Sequence, residues 1–480
     1  MGAFDGLRPR QGSTVAVVAA EAGARAPQTK DLPVRYKFVP ILILLFLIIA
    51  IARHDRASES LVVDASTPTT ALPDARLAIA PAHDPFYADW RGPDAIAQHM
   101  LAVARRYNGS FTTSEAPSVR VGVETIGRSH EHRPLTVVTV AAGNPRRSMF
   151  VLGGQHGREW ISPMAVAYFV HSLLHRYARG DRDATALLRG VAVHALPLLN
   201  PDGLNYTMSK GGGGHRRMWR RNRRAGGGKP VDLNRNWGSR APLWVPASRL
   251  EGRKKAAHWP GASGFSEPET EAVRRYFARQ RPAAFQAFAD VHCCMTCTLS
   301  PIDFGRWYPQ YQIPLHLRRG LETIGEAMCA DANKIQHRHR ETIEATRDRG
   351  DGVLDDEGYT LLGGSQLSKY EHKIRDSKKS GGGVGAQSNN AVSWAFHEAN
   401  IPLSFSLETR GRKRTSAVRR SLAKIMQIDR RWITMIAQEI EAMCLRLGIA
   451  AAGGGAGGGL NSTGVKSARG MHDEALNSRF

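Results

Sequence analysis

Cysteine is scarce in this chain, five in 480 residues, so at most two disulfides can form and one thiol is then left over. Long apolar runs are scarcer. One strongly apolar stretch, residues 38–52, stands between Lys37 and Arg53, and it falls short of the roughly 20 residues that a bilayer core asks of a helix. Acidic side chains are outnumbered, 43 Asp and Glu against 66 Lys and Arg, for a net charge of +23. The basic residues are spread along the chain and no nucleic-acid motif accompanies them, so nucleic acid is not an expected partner. A basic surface of this kind attracts acidic membranes or substrates instead.

What is present suits a large folded domain. Hydrophobic residues make up 42% of the chain, sufficient for a sizeable core, and the length accommodates one α/β domain of about 300 or more residues plus extensions. Short β-rich runs at 119–123, 135–141, 149–152, 191–198, 285–292 and 402–407 alternate with amphipathic stretches at 162–177, 267–279 and 417–447. That alternation predicts a mixed, mostly parallel, twisted sheet between helices, with the site at the strand ends.

Chemistry concentrates at those ends. The run Met149-Phe-Val-Leu-Gly-Gly-Gln-His-Gly-Arg-Glu-Trp160 empties an apolar strand into a glycine turn that carries His156 and Glu159. An imidazole and a carboxylate so placed are two of the three protein ligands that a catalytic zinc takes. Alone, a His-x-x-Glu pair is commonplace. Here it is followed by Leu196-Pro-Leu-Leu-Asn-Pro-Asp-Gly203, Arg217-Met-Trp-Arg220, Val231-Asp-Leu-Asn-Arg-Asn-Trp237, Phe285-Gln-Ala-Phe-Ala-Asp-Val-His292 and Pro402-Leu-Ser-Phe-Ser-Leu-Glu408.

These motifs, with Ile126-Gly-Arg-Ser-His-Glu-His-Arg-Pro-Leu135 before them, resemble in kind and order the zinc metallocarboxypeptidases of the carboxypeptidase A/B type. The likeness implies a catalytic domain over about residues 85–447 with one zinc ion per chain, held by His156, Glu159 and His292. It implies Glu408 as general base and Arg220 as the group that polarises the scissile carbonyl. Asn234 and Arg235 match the clamp on a substrate's terminal carboxylate, and Arg158 matches a further substrate contact. The expected substrates are peptide or protein C-termini, and the expected state is a monomer.

The chemistry accounts for the residue types. Two neutral imidazoles and a carboxylate leave zinc an open position and residual positive charge, so that water is acidified and a carbonyl polarised. A carboxylate near the metal but not bound to it can shuttle the proton. A guanidinium forks onto a terminal carboxylate, which an internal peptide bond does not offer.

Departures from the family pattern accompany the matches. After His292 the chain reads Cys293-Cys-Met-Thr-Cys297. Adjacent cysteines are poor partners for each other, so packing is the expected role, with a disulfide to Cys297, Cys329 or Cys444 as the alternative. The register of the substrate-capping tyrosine falls on Gly385, with Tyr370 or Tyr359 as candidate substitutes. The pocket-base register falls on Val392, which favours apolar or aromatic C-terminal residues. Counting back from Glu408 gives Ser393 instead, and Asp303 could enter the same pocket and favour a basic end.

Residues 38–52 are expected to be an uncleaved signal anchor, with a cleaved signal peptide and a secreted enzyme as the rival. Basic residues favour a cytoplasmic tail at 1–37 and a lumenal or extracellular catalytic domain. Residues 53–84 read as a linker and 448–480 as a glycine-rich disordered tail. Sequons at Asn108, Asn205 and Asn461 permit glycosylation there. The functional alternatives are a membrane-anchored binding protein that keeps zinc without turnover, a peptidase for basic ends, and a hydrolase of unusual amide linkages.

Overall fold

Period-two burial shapes the centre of the molecule. In β3 (Arg147–Leu152), Met149 and Val151 join one apolar cluster while Phe150 and Leu152 join another on the opposite face. A strand buried on both faces needs a helical layer on each side, which is the usual setting of parallel strands. The computed structural model describes residues 78–109, 117–209, 216–224, 228–238, 258–280, 284–299, 301, 312–345, 358–362, 389–411, 426 and 428–453, all within Ser60–Phe480.

Eight described strands form one mixed sheet. They are β1 (Val119–Arg128), β2 (Pro134–Ala142), β3, β4 (Val191–Leu196), β5 (Phe285–Cys293), β6 (Cys297–Leu299), β7 (Thr360–Leu362) and β8 (Leu403–Thr409). Their order is β1-β2-β4-β3-β5-β8-β6-β7. The centre, β4-β3-β5-β8, is parallel, and antiparallel pairs flank it. All six expected runs are strands. The sheet gains β6 and β7, three residues each and too short to show alternation.

The described helices are α1 (Pro93–Tyr107), α2 (Ile161–Ala178), α3 (Arg182–Gly190), α4 (Pro201–Met208), α5 (Pro268–Arg279), α6 (Leu315–Arg338), α7 (Ala391–His397) and α8 (Ile433–Ala452), besides shorter turns. Residues of α1, α2, α3, α6 and α8 fill the larger core with Val151, Ala289 and Phe405. Residues of α5 and α7 cover the other face against Phe150 and Phe288, whose rings stack 5.9 Å apart. Each such fully buried side chain contributes about 1.5–3 kcal/mol. Helix α8 runs past the expected end at 447 and stops at Gly453, whose φ of 88° provides a left-handed cap.

Among the described residues no helix is long and apolar enough to cross a membrane; the expected anchor at 38–52 lies outside them.

Candidate metal centre and active site

The turn after β3 is built for close approach. Gly154 has φ 64°, a conformation that favours glycine, and a Cβ on Gly157 would stand 2.5 Å from the backbone of Gly203. Backbone bonds from Leu199 to Gly153 and from Asn200 to Gly154 lash this turn to the one after β4. Ser162 in α2 accepts from Gly154 N at 2.8 Å and donates to Val291 O at 2.6 Å, tying the turn to β5. His156 and Glu159 are thereby fixed beside the end of β5, which carries His292.

The three side chains meet, and all are buried. His156 Nδ1 lies 2.8 Å from Glu159 Oε1, and His292 Nδ1 lies 3.1 Å from Glu159 Oε2. Their candidate ligand atoms fall within 4.8 Å of one another. Each Nε2 has a carboxylate behind it: Asp232 Oδ1 at 3.2 Å from His156, and Asp290 Oδ2 at 2.8 Å from His292. Such a backing orients an imidazole and raises its basicity as a ligand. Burial opposes ionisation of Glu159, yet the two imidazoles hold it well below the usual carboxylate range. Burial pushes His156 down, with Arg220 acting in the same sense, whereas burial of His292 is outweighed by Asp290 and Glu159, which push it up. Two imidazole nitrogens, one carboxylate and a fixed outer layer fit a zinc ion.

Glu408 ends the neighbouring strand. In the parallel β5–β8 register it is the partner of His292, and its Oε2 is buried without a hydrogen-bond partner. Burial pushes its carboxyl up to about 7, opposed by His292 and reinforced by Glu159. Arg410, a conceivable partner for Glu408, is instead paired with Glu439, Nη2 to Oε1 at 2.8 Å; Arg412 lies outside the described residues.

Arg220 stands on the opposite flank, where its Nε donates to Asp232 Oδ2 at 2.8 Å and its Nη1 is 3.7 Å from Glu159 Oε1. The rest of the basic run is occupied structurally. Arg217 donates to Arg158 O and Met426 O and lies over Trp160. Arg223 lies over Tyr206 and Trp219, and Arg224 pairs with Glu267.

Asn234 and Arg235 sit in a short turn, Leu233–Arg235, capped by Asp232. The amide of Asn234 is engaged on both sides: Oδ1 accepts from Ala391 N at 3.0 Å, and Nδ2 lies 2.9 Å from His292 Nε2. Arg235 bonds Asn234 O through Nη1, while its Nε and that of Arg158 are buried without partners. Val392 and Ser393 are both buried on α7, directly after Ala391. Asp303, Tyr370 and Gly385 lie outside the described residues.

Two expectations are corrected. Tyr359 is not available as a substrate cap, because its buried phenol donates to Glu439 Oε2 at 2.8 Å. Cys293 is bonded to its neighbour Cys294, across a cis peptide that brings their Cα atoms to 3.2 Å. Cys297, Cys329 and Cys444 are buried thiols.

Asp232, Asp290, Gln155 and His258 were not anticipated as site residues. Asp290 had a signal: two residues before His292 on a strand, it shares that residue's face. Asp232 lies inside the quoted 231–237 motif. Gln155 bridges Asp290 and Trp237. His258 bonds Asp232 at 3.0 Å across a separation of 26 residues, which no spacing announces.

A model of the family described as zinc carboxypeptidase matches residues 112–439. The chain belongs to the zinc carboxypeptidase family. Curated relatives of this member include the inactive metallocarboxypeptidase ECM14 of Paracoccidioides brasiliensis, 27% identical over 303 residues, covering 62% of this chain and 46% of the relative. The protein of the same name from Paracoccidioides lutzii is 25% identical over 330 residues, covering 68% and 50%. The chain thus spans about half the length of these curated relatives. Solved structures share the fold: thrombin activatable fibrinolysis inhibitor, at 20% identity and TM-score 0.56, covers 78% of this chain and 77% of that one. Carboxypeptidase A from Helicoverpa armigera, at 20% identity and TM-score 0.55, covers 79% of each.

Proposed function

We propose that this carboxypeptidase-family chain is a working zinc hydrolase that removes single C-terminal residues from peptides or proteins. The carrying observation is Glu408: a carboxylate beside the three-ligand cluster, paired in register with His292, with one buried oxygen that has no hydrogen-bond partner among the described residues. His156, Glu159 and His292 would hold the ion. Zinc bound there supplies Lewis acidity, polarising a carbonyl and acidifying water.

The chain's own groups divide the remaining work. Glu408 takes the water's proton and hands it to the leaving amine. Arg220, steadied by Asp232, offers its outer nitrogens to the oxygen that gains charge. Arg235 and Arg158, each with a buried Nε lacking a protein partner, receive the terminal carboxylate. Asn234, joined to Ala391, holds this clamp against α7, where buried Val392 favours apolar or aromatic ends. Residues 38–52 would anchor the enzyme with its catalytic domain outside the cytoplasm.

A second reading, a zinc-binding protein without turnover, is favoured by the name inactive that the ECM14 relatives carry. The two separate in one assay: zinc-loaded and zinc-stripped full chain, tested for release of C-terminal Phe or Leu against Lys or Arg from matched peptides. Zinc-dependent release of the apolar ends is expected. No release from any end by the zinc-loaded chain would establish the second reading.

A further inference from the structure

A second cluster, outside the family centre, combines the same donor types. Asp84 lies between two short 3-10 turns, Pro81–His83 and Pro85–Ala88, His99 is on α1 and His171 is on α2. One candidate ligand atom from each falls within 4.8 Å of the others. We propose that Asp84, His99 and His171 form a second divalent-metal site, of the zinc class, that fastens the 81–88 segment to helices α1 and α2.

The observation that points to a ligand is His171. It is 2% exposed, and neither ring nitrogen has a hydrogen-bond partner among the described residues. Buried polar atoms are ordinarily satisfied, and a neutral imidazole has one nitrogen whose lone pair takes a donor or an ion. Its Nδ1 points to Asp84 Oδ2 at 3.8 Å, too long for a hydrogen bond. Two ligands of one tetrahedral zinc stand about 3.3 Å apart, given bonds of about 2.0 Å, so a small contraction closes the pair on an ion.

The surroundings hold the donors in place. Asp84 Oδ1 accepts from Phe86 N at 2.8 Å, which leaves Oδ2 to face His171. Phe86 stacks on His99 at 3.7 Å, and Tyr87 OH lies 3.1 Å from His99 Nε2. Arg91 clasps the carbonyls of Phe86 and Pro85. A third cluster, His130, Glu267 and Glu269, lacks this character, because Glu267 already accepts from His130, Asn222, Ser266 and Arg224.

The test is metal stoichiometry, by elemental analysis of the full chain equilibrated with cobalt(II) or zinc and freed of excess ion. Two ions per wild-type chain are expected, falling to one in His171→Leu and in Asp84→Asn. Asp84→Asn retains the oxygen that accepts from Phe86, so it serves even where His171→Leu does not fold. A His156→Ala chain should keep one ion and lose it when Asp84→Asn is added, which separates this site from the family centre. A wild-type chain holding a single ion that both Asp84→Asn and His171→Leu retain would overturn the site.

Discussion

Two places in this molecule gather two imidazoles and one carboxylate, and they differ in what stands behind the donors. At His156, Glu159 and His292 every Nε2 is backed by a carboxylate, Asp232 or Asp290; Gln155 donates to Asp290, and Trp237 donates to Gln155 in turn. At Asp84, His99 and His171 the backing among the described residues is neutral, a backbone N–H on Asp84 and a phenol on His99, and His171 has none. A donor set can bring an ion in; the layer behind it decides tautomer, basicity and tightness. Among the described residues, a further buried carboxylate, Glu408, adjoins the first cluster through His292, so chemistry is expected there and fastening at the other.

After Glu408 itself, the largest effect that would break this contrast is at Arg220. Arg220→Ala should lower kcat about 10²–10³-fold at saturating zinc, with bound zinc unchanged; an unaltered kcat would remove Arg220 from the chemistry. Next comes the outer layer. Asp290→Asn should weaken zinc binding at the family centre about 10–100-fold, read by competition with a chromophoric chelator, while the ion at Asp84 keeps its affinity. A smaller effect concerns metal removal: graded chelation should empty the Asp84 site first and lower the melting temperature before hydrolysis declines. Simultaneous loss of both would erase the distinction.

The smallest effect uses a buried histidine outside both clusters. His194, bonded to Tyr276 OH at 2.6 Å, is pushed by burial down to about 4. Its unfolded form takes up a proton below about 6.5 and its folded form does not until about 4. Folding stability should therefore fall as pH drops through that window, by up to about 1.4 kcal/mol per pH unit from this group. Urea titrations of wild type and His194→Asn across pH 4–6.5 should differ in slope by that contribution.

The same contrast explains how far the sequence reaches. His156 and Glu159 share one turn, and His292 and Glu408 close apolar runs, so periodicity places them at strand ends and the resemblance to the carboxypeptidases joins them in one site. Asp290 was legible too, by its i−2 spacing. His258 was not, nor was the Asp84 cluster, because its members come from a 3-10 turn and two helices and meet only when the helices pack. The Cys293–Cys294 bond and the burial of Tyr359 under Glu439 likewise depend on backbone and packing details that spacing does not encode. In the fold, the six longer strands announced themselves by periodicity, whereas β6 and β7 pair at an edge through backbone hydrogen bonds with too few residues to leave a pattern.

The most direct test of the central claim, that Glu408 makes this metal centre a hydrolase, is to measure zinc content and peptide hydrolysis side by side in the wild-type chain and in Glu408→Gln. The account predicts equal zinc in both and a loss of hydrolysis of about 10²–10⁴-fold in the variant. Equal zinc with hydrolysis unchanged in Glu408→Gln, or with none in either chain, would contradict it.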